Sequence, residues 1–199
     1  MSSSTKVEAL REAIAKIAES DGSRFFDHET EELKAPVRAK AMRLINQRAR
    51  SRKELFDRIC EDPEVVPGVV NEVLDDLTAA GALNDAYFAQ EWVRQRHLYK
   101  KKSGSVLRRE LKEKGIAESL IDDALGQVTR DSEAEILRVL VEKKAATIKT
   151  RPADRKEYDK CLRRVVGVAA RRGFSQGMSL AFAREAIDNR IAELPHQES

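Results

Sequence analysis

One segment of the chain matches a pattern that is associated with catalysis. Residues 173–177 read Gly-Phe-Ser-Gln-Gly, the spacing that exposes a nucleophilic serine on the strand-to-helix turn of many hydrolases. A helix rather than a strand is predicted before Gly173, and the one later histidine, His196, lies in a terminal tail. The simpler interpretation is that Gly173 ends one helix and Ser175 caps the next. We therefore predict no enzymatic activity from this motif.

The other reactive side chains are too scattered in the sequence to indicate a metal or cofactor site. The three histidines and two cysteines do not have the spacing of a zinc site. The sequence contains neither a Walker A motif nor a glycine-rich dinucleotide turn. Cys60 and Cys161 lie near apolar stripes, where reduced core cysteines are common. We expect no catalytic residue, no cofactor, no bound metal and no small-molecule substrate.

Basic residues, by contrast, are concentrated in three clusters. The formal net charge is only +3, but residues 1–35 carry 5 basic and 8 acidic side chains, whereas residues 36–199 carry 32 basic and 26 acidic ones. Such clusters can bind a phosphate backbone or an acidic protein groove, and the alternative is a solvated helix face. The clusters span residues 38–53, 94–102 and 160–172.

The elements that carry these clusters are predicted to be helices. Charged residues make up 36% of the chain and aromatic residues 5%, with 9 glycines among 199 residues. This composition is typical of exposed helices and untypical of a β-sandwich. No apolar run is long enough to cross a membrane, and no signal peptide opens the chain. We therefore expect a cytoplasmic protein without a membrane segment.

The apolar stripes repeat three times in the order long helix, short helix, glycine stop and third helix. We therefore predict an all-α fold, an elongated and curved array of three tandem three-helix repeats with an N-terminal helical extension. Such a body is better suited to wrapping a long partner than to enclosing a small substrate. The predicted division is an N-terminal helix and acidic tether at 1–35, repeats at 36–83, 84–130 and 131–194, and a loose tail at 195–199.

Local patterns predict where several of the helices begin. Pro36 suits the first turn of a helix, since its ring presets a helical φ angle. Ser51-Arg52-Lys53-Glu54 and Ser132-Glu133-Ala134-Glu135 both fit a capping box, in which a hydroxyl and a carboxylate satisfy the free backbone donors. Asn84 or Asp85 is predicted to cap the next helix.

Two aromatic residues are candidates for stacking on nucleic-acid bases. Trp92 and Tyr99 lie in or beside a basic cluster, and single-strand binders use aromatic side chains in this way. Their helical spacing with Phe88 instead favours packing in the core. We expect core packing for all three aromatic residues.

Several segments, in this order along the chain, resemble the signature of the RecX family, whose members are bacterial regulators of the RecA recombinase. The resemblance covers about residues 36–190 and leaves residues 1–35 outside it. Each motif alone is loose, but their order is specific. The matching residues are Arg48, Ser51, Glu54 and Leu55; Gly81-Ala82-Leu83-Asn84-Asp85-Ala86-Tyr87-Phe88-Ala89 with Trp92-Val93 and Arg96; Leu107-Arg108-Arg109-Glu110-Leu111 with Lys114-Gly115-Ile116; and Arg171-Arg172-Gly173-Phe174-Ser175.

The resemblance implies tandem three-helix repeats and a non-enzymatic activity. RecX proteins bind RecA, lie in the groove of the RecA–single-stranded DNA filament, and restrain its ATPase, recombinase and coprotease activities. We thus expect a monomeric modulator, inhibitory in sign, that acts in homologous recombination, DNA repair and the SOS response. The alternative is a stand-alone helix-turn-helix-like DNA-binding protein, although no helix start concentrates Asn, Gln and Arg. The basic residues expected to contact RecA or DNA phosphates are Arg48, Arg50, Arg52, Lys100, Lys101, Lys102, Arg163, Arg164 and Arg172.

Overall fold

The computed structural model describes residues 30–195, which form helices joined by turns and loops and contain no strand. The all-α prediction is confirmed. None of the helices in this range combines the length and the apolar content that a membrane crossing requires. The predictions for residues 1–29 and 196–199 lie outside the described residues. The helices are α1 at 30–47, α2 Arg52–Ile59, α3 Pro67–Ala79, α4 Asp85–Leu98, α5 Gly104–Glu113, α6 Glu118–Leu125, α7 Arg130–Ala145, α8 Arg155–Ala170 and α9 Gln176–Glu193.

The chain divides into two compact units, residues 1–83 and residues 84–199. In the first unit, α1, α2 and α3 surround one apolar core, because each helix carries an apolar stripe along one face. The side chains at the centre of this core are Ala41, Leu55, Ile59, Val70, Val73 and Leu74, all with no exposed surface.

The second unit contains two further groups of three helices. Helices α4, α5 and α6 share one core, and helices α7, α8 and α9 share another. Each core is built from the stripes that the helical spacing predicts. The first of these cores is centred on Val93, Leu107, Leu111 and Ile121, and the second on Leu137, Val141, Val165, Ala169, Ala183 and Ile187.

The predicted helix ends are confirmed at most positions. The Ser51 hydroxyl accepts the Glu54 N–H at 3.2 Å, and a Glu54 carboxylate oxygen accepts the Ser51 N–H at 3.3 Å, which completes the capping box. Asn84 caps α4 through the Tyr87 N–H at 2.9 Å. The glycine stops predicted within residues 30–195, at Gly81, Gly115 and Gly173, adopt a left-handed φ angle.

The predicted tether is wrong over residues 30–35, because these residues are already helical and Pro36 lies inside α1 rather than in its first turn. Ion pairs hold this part of the helix against α3. The Lys34 ammonium lies 2.8 Å from a Glu72 carboxylate oxygen, and Arg38 bonds to both Glu31 and Asp76. Pro36 has no backbone N–H, so α1 lacks one hydrogen bond at this position. The helix continues because the proline ring fixes a φ angle that a helix can use.

The start of α7 also differs from the prediction. Thr129, not Ser132, is the N-cap residue: its hydroxyl accepts the Ser132 N–H at 3.1 Å. Ser132 completes the box by accepting the Thr129 N–H at 3.1 Å. A serine can replace the usual glutamate at this position because its hydroxyl also reaches the cap backbone. The predicted N-cap, Ser132, therefore lies three residues after the N-cap that the structure shows.

Candidate functional site

Two basic turns of the second unit meet in the structure. One follows α4 at residues 99–103 and the other follows α8 at residues 171–175; we call them the paired turns. The Ser103 N–H donates to the Arg172 carbonyl oxygen at 3.0 Å, and Arg172 Nε donates to the Lys100 carbonyl oxygen at 3.3 Å. Two basic clusters that are 72 positions apart in the chain therefore lie side by side.

Gly173 permits this close approach. A Cβ atom at this position would lie 2.1 Å from Val106 Cγ2 and 2.7 Å from Ser103 Oγ. The Gly173 carbonyl oxygen also accepts the Ser105 hydroxyl at 2.8 Å. Any side chain would force the two turns apart, so Gly173 has a second role besides ending α8. The sequence motif contained no sign of this contact.

Lys101 adopts a left-handed backbone conformation, with a φ angle of 56°. Among the described residues it is the one non-glycine residue with a positive φ angle, and glycines occupy this conformation at the ends of α3, α5 and α8. A side chain in this region costs about 1 kcal/mol or more. The turn therefore carries a lysine where a glycine would be less strained.

Two residues of α7, Ser132 and Glu133, help to hold the first of the paired turns in place. His97 is buried, with Nδ1 2.9 Å from the Lys102 carbonyl oxygen and Nε2 3.1 Å from Ser132 Oγ. Because a carbonyl oxygen can only accept, Nδ1 carries a proton. A Glu133 carboxylate oxygen accepts the Gly104 N–H at 2.8 Å, at the start of α5. These bonds fix the backbone of the turn while its exposed side chains stay outside.

One carboxylate engages two of the cations near this turn. Glu110 binds the Lys102 ammonium, accepts Trp92 Nε1–H at 3.0 Å, and lies 3.6 Å from Arg96 Nε. The Arg96 guanidinium also lies 3.5 Å from the centroid of the Trp92 ring. The half-buried Trp92 packs on the core as predicted. The same prediction for Tyr99 is wrong, because this side chain is 73% exposed.

Four cations without a carboxylate partner among the described residues lie in the paired turns. Neither turn contains an acidic residue. Within residues 30–195, the side chains of Lys100, Lys101, Arg171 and Arg172 make no ion pair. With the exposed Tyr99 beside them, they form a positive surface with an aromatic side chain, which is suited to phosphates or carboxylates. Arg171 was not among the predicted contact residues, and Tyr99 was a candidate for base stacking that the sequence favoured as a core residue.

The predicted contact residues of the first unit are engaged within that unit. Arg48 binds both carboxylate oxygens of Glu54 at 3.3 Å. Arg50 Nε donates to a carbonyl oxygen of α1 at 3.2 Å. Arg52 lies 2.9 Å from an Asp75 carboxylate oxygen. These arginines join the elements of one three-helix group, which is a structural role.

The last two predicted residues lie on α8. Arg163 and Arg164 are exposed and make no ion pair within residues 30–195. At a rise of about 1.5 Å per residue, they lie roughly 12 Å along the helix from the turn that follows it. Arg164 lines a surface pocket together with three lysines. The structure therefore separates these two arginines from the paired turns.

Comparison with known proteins identifies the family. A family model described as "RecX, second three-helix domain" matches residues 84–125. "Regulatory protein RecX" of Corynebacterium efficiens is 48% identical over 193 residues, which are 95% of this chain and 91% of that protein. The protein of the same name from Streptomyces lividans is 37% identical over 160 residues, 80% of this chain and 82% of the relative. This chain belongs to the RecX family of regulatory proteins.

Solved structures agree on the fold. The crystal structure of RecX from Lactobacillus salivarius matches with a TM-score of 0.67 at 21% identity, and the match covers 80% of this chain and 99% of that one. A second crystal structure of regulatory protein RecX matches with a TM-score of 0.66 at 23% identity, over 81% of this chain and 75% of that one. The helical-repeat prediction is confirmed.

Proposed function

We propose that this protein is a non-enzymatic modulator of RecA that acts in the cytoplasm as a monomer. It binds RecA and the groove of the RecA–single-stranded DNA filament, and it restrains the ATPase, strand-exchange and coprotease activities. Membership of the RecX family supports the partner. The observation that carries the proposal is the paired turns, where four cations without an ion pair among residues 30–195 meet at one surface.

The proposed mechanism is electrostatic contact followed by steric block. Lysine and arginine side chains of the paired turns bind DNA phosphates or acidic residues of the filament groove. Each phosphate contact releases counterions, so affinity falls steeply as salt rises. The bound protein then blocks the second DNA and hinders filament growth. In this proposal the repeats at 36–83, 84–130 and 131–194 each provide a surface for the filament.

The predicted contact residues differ in how readily they reach a partner. Lys100 and Lys101 come first, together with Arg171, because no ion pair or hydrogen bond within residues 30–195 engages their charged groups. The exposed Arg163 and Arg164 come second. Arg50 and Arg172 follow, because each donates one hydrogen bond to a backbone carbonyl oxygen. Arg48, Arg52 and Lys102 come last, because each must first leave a carboxylate, which lowers its net gain from binding.

The test is the single-stranded-DNA-dependent ATPase of the host's RecA, titrated with this protein. We expect inhibition at well below one molecule per RecA. The triple variant Lys100→Glu, Lys101→Glu, Arg171→Glu should need at least about tenfold more protein, since each lost phosphate contact costs affinity. Raising the salt concentration should weaken the wild type more than the variant.

A matched variant reverses three cations of the second unit outside the paired turns and the residues that hold them: Arg109→Glu, Lys143→Glu and Lys156→Glu. These side chains are exposed, and the net charge changes equally. If both triple variants lose inhibition to the same degree, the paired turns are not the contact surface. If folded wild-type protein in excess has no effect, RecA is not the partner; selection of one site from random duplex DNA would then support the DNA-binding alternative.

A further inference from the structure

A basic pocket in the third group of helices is separate from the paired turns. It has a volume of about 400 Å3 and lies between the end of α7, the loop at 146–154 and the middle of α8. Four cations line it, from all three of these segments. They are Lys144, Lys149, Lys160 and Arg164.

The charge of the pocket is not balanced by the protein. Glu157 is the one acidic residue in the lining, and its carboxylate already accepts the Ala153 N–H at 2.8 Å. None of the four cations makes an ion pair within the described part of the chain, residues 30–195. Like charges in one pocket repel each other, and a bound anion removes that repulsion.

The walls of the pocket are held in place before any ligand binds. Arg190 Nε donates to the Ile148 carbonyl oxygen at 3.1 Å, and Arg151 Nε donates to the Leu194 carbonyl oxygen at 3.0 Å. Both bonds tie the loop at 146–154 to α9 or to the residue that follows it. A preformed wall lowers the ordering cost of binding.

The pocket is also lined by apolar residues, which favour an acidic peptide with an aliphatic side chain over a nucleic acid. Ile148 and Val165 also line the pocket, and no aromatic residue is among the described residues that line it. A nucleic acid would gain only phosphate contacts here, since its bases find no ring to stack on. An acidic peptide offers carboxylates to the lysines and to Arg164, whose guanidinium suits bidentate binding. A leucine or similar side chain of the peptide gains from apolar contact.

We propose that this pocket binds an acidic peptide segment of a partner protein, with one aliphatic side chain as anchor. This goes beyond the proposed function, since the pocket is separate from the paired turns. The test contains neither filament nor DNA at first, so its failure is distinct from failure of the RecA assignment.

The experiment measures fluorescence polarisation of a labelled peptide rich in Asp and Glu with one central leucine, titrated with the full chain. A second peptide has serine in place of leucine. We expect the leucine peptide to bind several-fold more tightly. The variant Lys160→Glu, Arg164→Glu should bind it about tenfold more weakly, which corresponds to about 1.4 kcal/mol. Both side chains are exposed, and circular dichroism checks that the fold is kept.

The matched control is Arg109→Glu with Arg130→Glu, which changes the charge equally at two exposed side chains outside the pocket. We expect it to bind the leucine peptide as the wild type does. Equal loss in both double variants, or no binding by the wild type, would overturn the proposal. The proposal is also overturned if an oligothymidylate competes as well as the leucine peptide and the serine peptide binds equally, because the pocket would then recognise phosphates.

Discussion

The arginines of the first unit and the cations of the paired turns look equivalent in the sequence, but the structure uses them differently. Arg48 and Arg52 bind carboxylates within their own three-helix group. Lys100 and Arg172 instead lie where two turns meet: the Arg172 side chain donates to the Lys100 carbonyl oxygen, and neither side chain makes an ion pair among residues 30–195. A basic cluster in the sequence therefore indicates a binding surface only where its cations have no carboxylate partner within the protein.

The stability of the protein should fall most when the paired turns cannot approach each other. Gly173→Ala should destabilise the protein by about 3 kcal/mol, because its methyl group would overlap Val106 and Ser103. Gly81→Ala is the matched variant: its φ angle is also left-handed, at 73°, but no atom lies within 4 Å of the added carbon. It should lose only about 1 kcal/mol from backbone strain. Urea unfolding followed by circular dichroism measures both, and equal losses would contradict the contact role of Gly173.

An engaged cation should become an available one when its carboxylate is removed. Glu110→Gln should lose about 2 kcal/mol of stability, because charge-assisted bonds to Lys102 and Trp92 are weakened. It should also inhibit the RecA ATPase at a lower concentration, since Lys102 is released. Glu113→Gln on the same helix is the control, because that side chain is 70% exposed. Unchanged inhibition by Glu110→Gln would show that Lys102 does not reach the filament even when released.

Replacing Lys101, whose φ angle is left-handed, should change stability and filament inhibition in opposite directions. Lys101→Gly should raise the free energy of unfolding by about 1 kcal/mol, because glycine adopts a left-handed φ angle without a Cβ clash. The same change should weaken filament inhibition through loss of a cation. Lys100→Gly removes the same charge without relieving strain, so it should not gain stability. Thermal unfolding and the ATPase titration measure the two effects, and stabilisation by both variants would argue against the strain.

Truncating one cation that has a carboxylate partner and one that has none among residues 30–195 should give the smallest changes in the free energy of unfolding. Arg52→Ala should lose about 0.5 kcal/mol, because its partly exposed pair with Asp75 is a surface ion pair. Lys100→Ala should leave the free energy of unfolding unchanged within about 0.3 kcal/mol, since only its backbone carbonyl is used. High salt should reduce the Arg52 effect and not the Lys100 result. A clear loss in Lys100→Ala would mean that its side chain also supports the fold.

Local features of the fold were predictable from the sequence. The Ser51 capping box, the Asn84 cap and the glycine stops at Gly115 and Gly173 depend on hydrogen bonds between residues a few positions apart. One error arose where distant contacts matter: residues 30–35 are helical beside ion pairs to α3. Two others are local, since the N-cap of α7 is Thr129 rather than Ser132 and Tyr99 is the exposed C-cap residue of α4.

The candidate site was predictable only in part. Lys100, Lys101 and Arg172 were identified as basic residues of a repeat family, and the structure adds that they meet. Arg171 was visible in the sequence as one member of a cluster. Its membership of the surface depends on the bond between Ser103 and Arg172, which joins turns far apart in the chain.

The helices, most of their ends, their apolar faces and the family could be predicted from the sequence, because those properties depend on residue type and on spacing over a few positions. Only the tertiary structure decided which cations have carboxylate partners and which stay available. It also decided that four cations of the third helical group line one pocket. The physical reason is that an ion pair or a pocket requires side chains to come together in space, and their separation along the chain carries no record of that meeting.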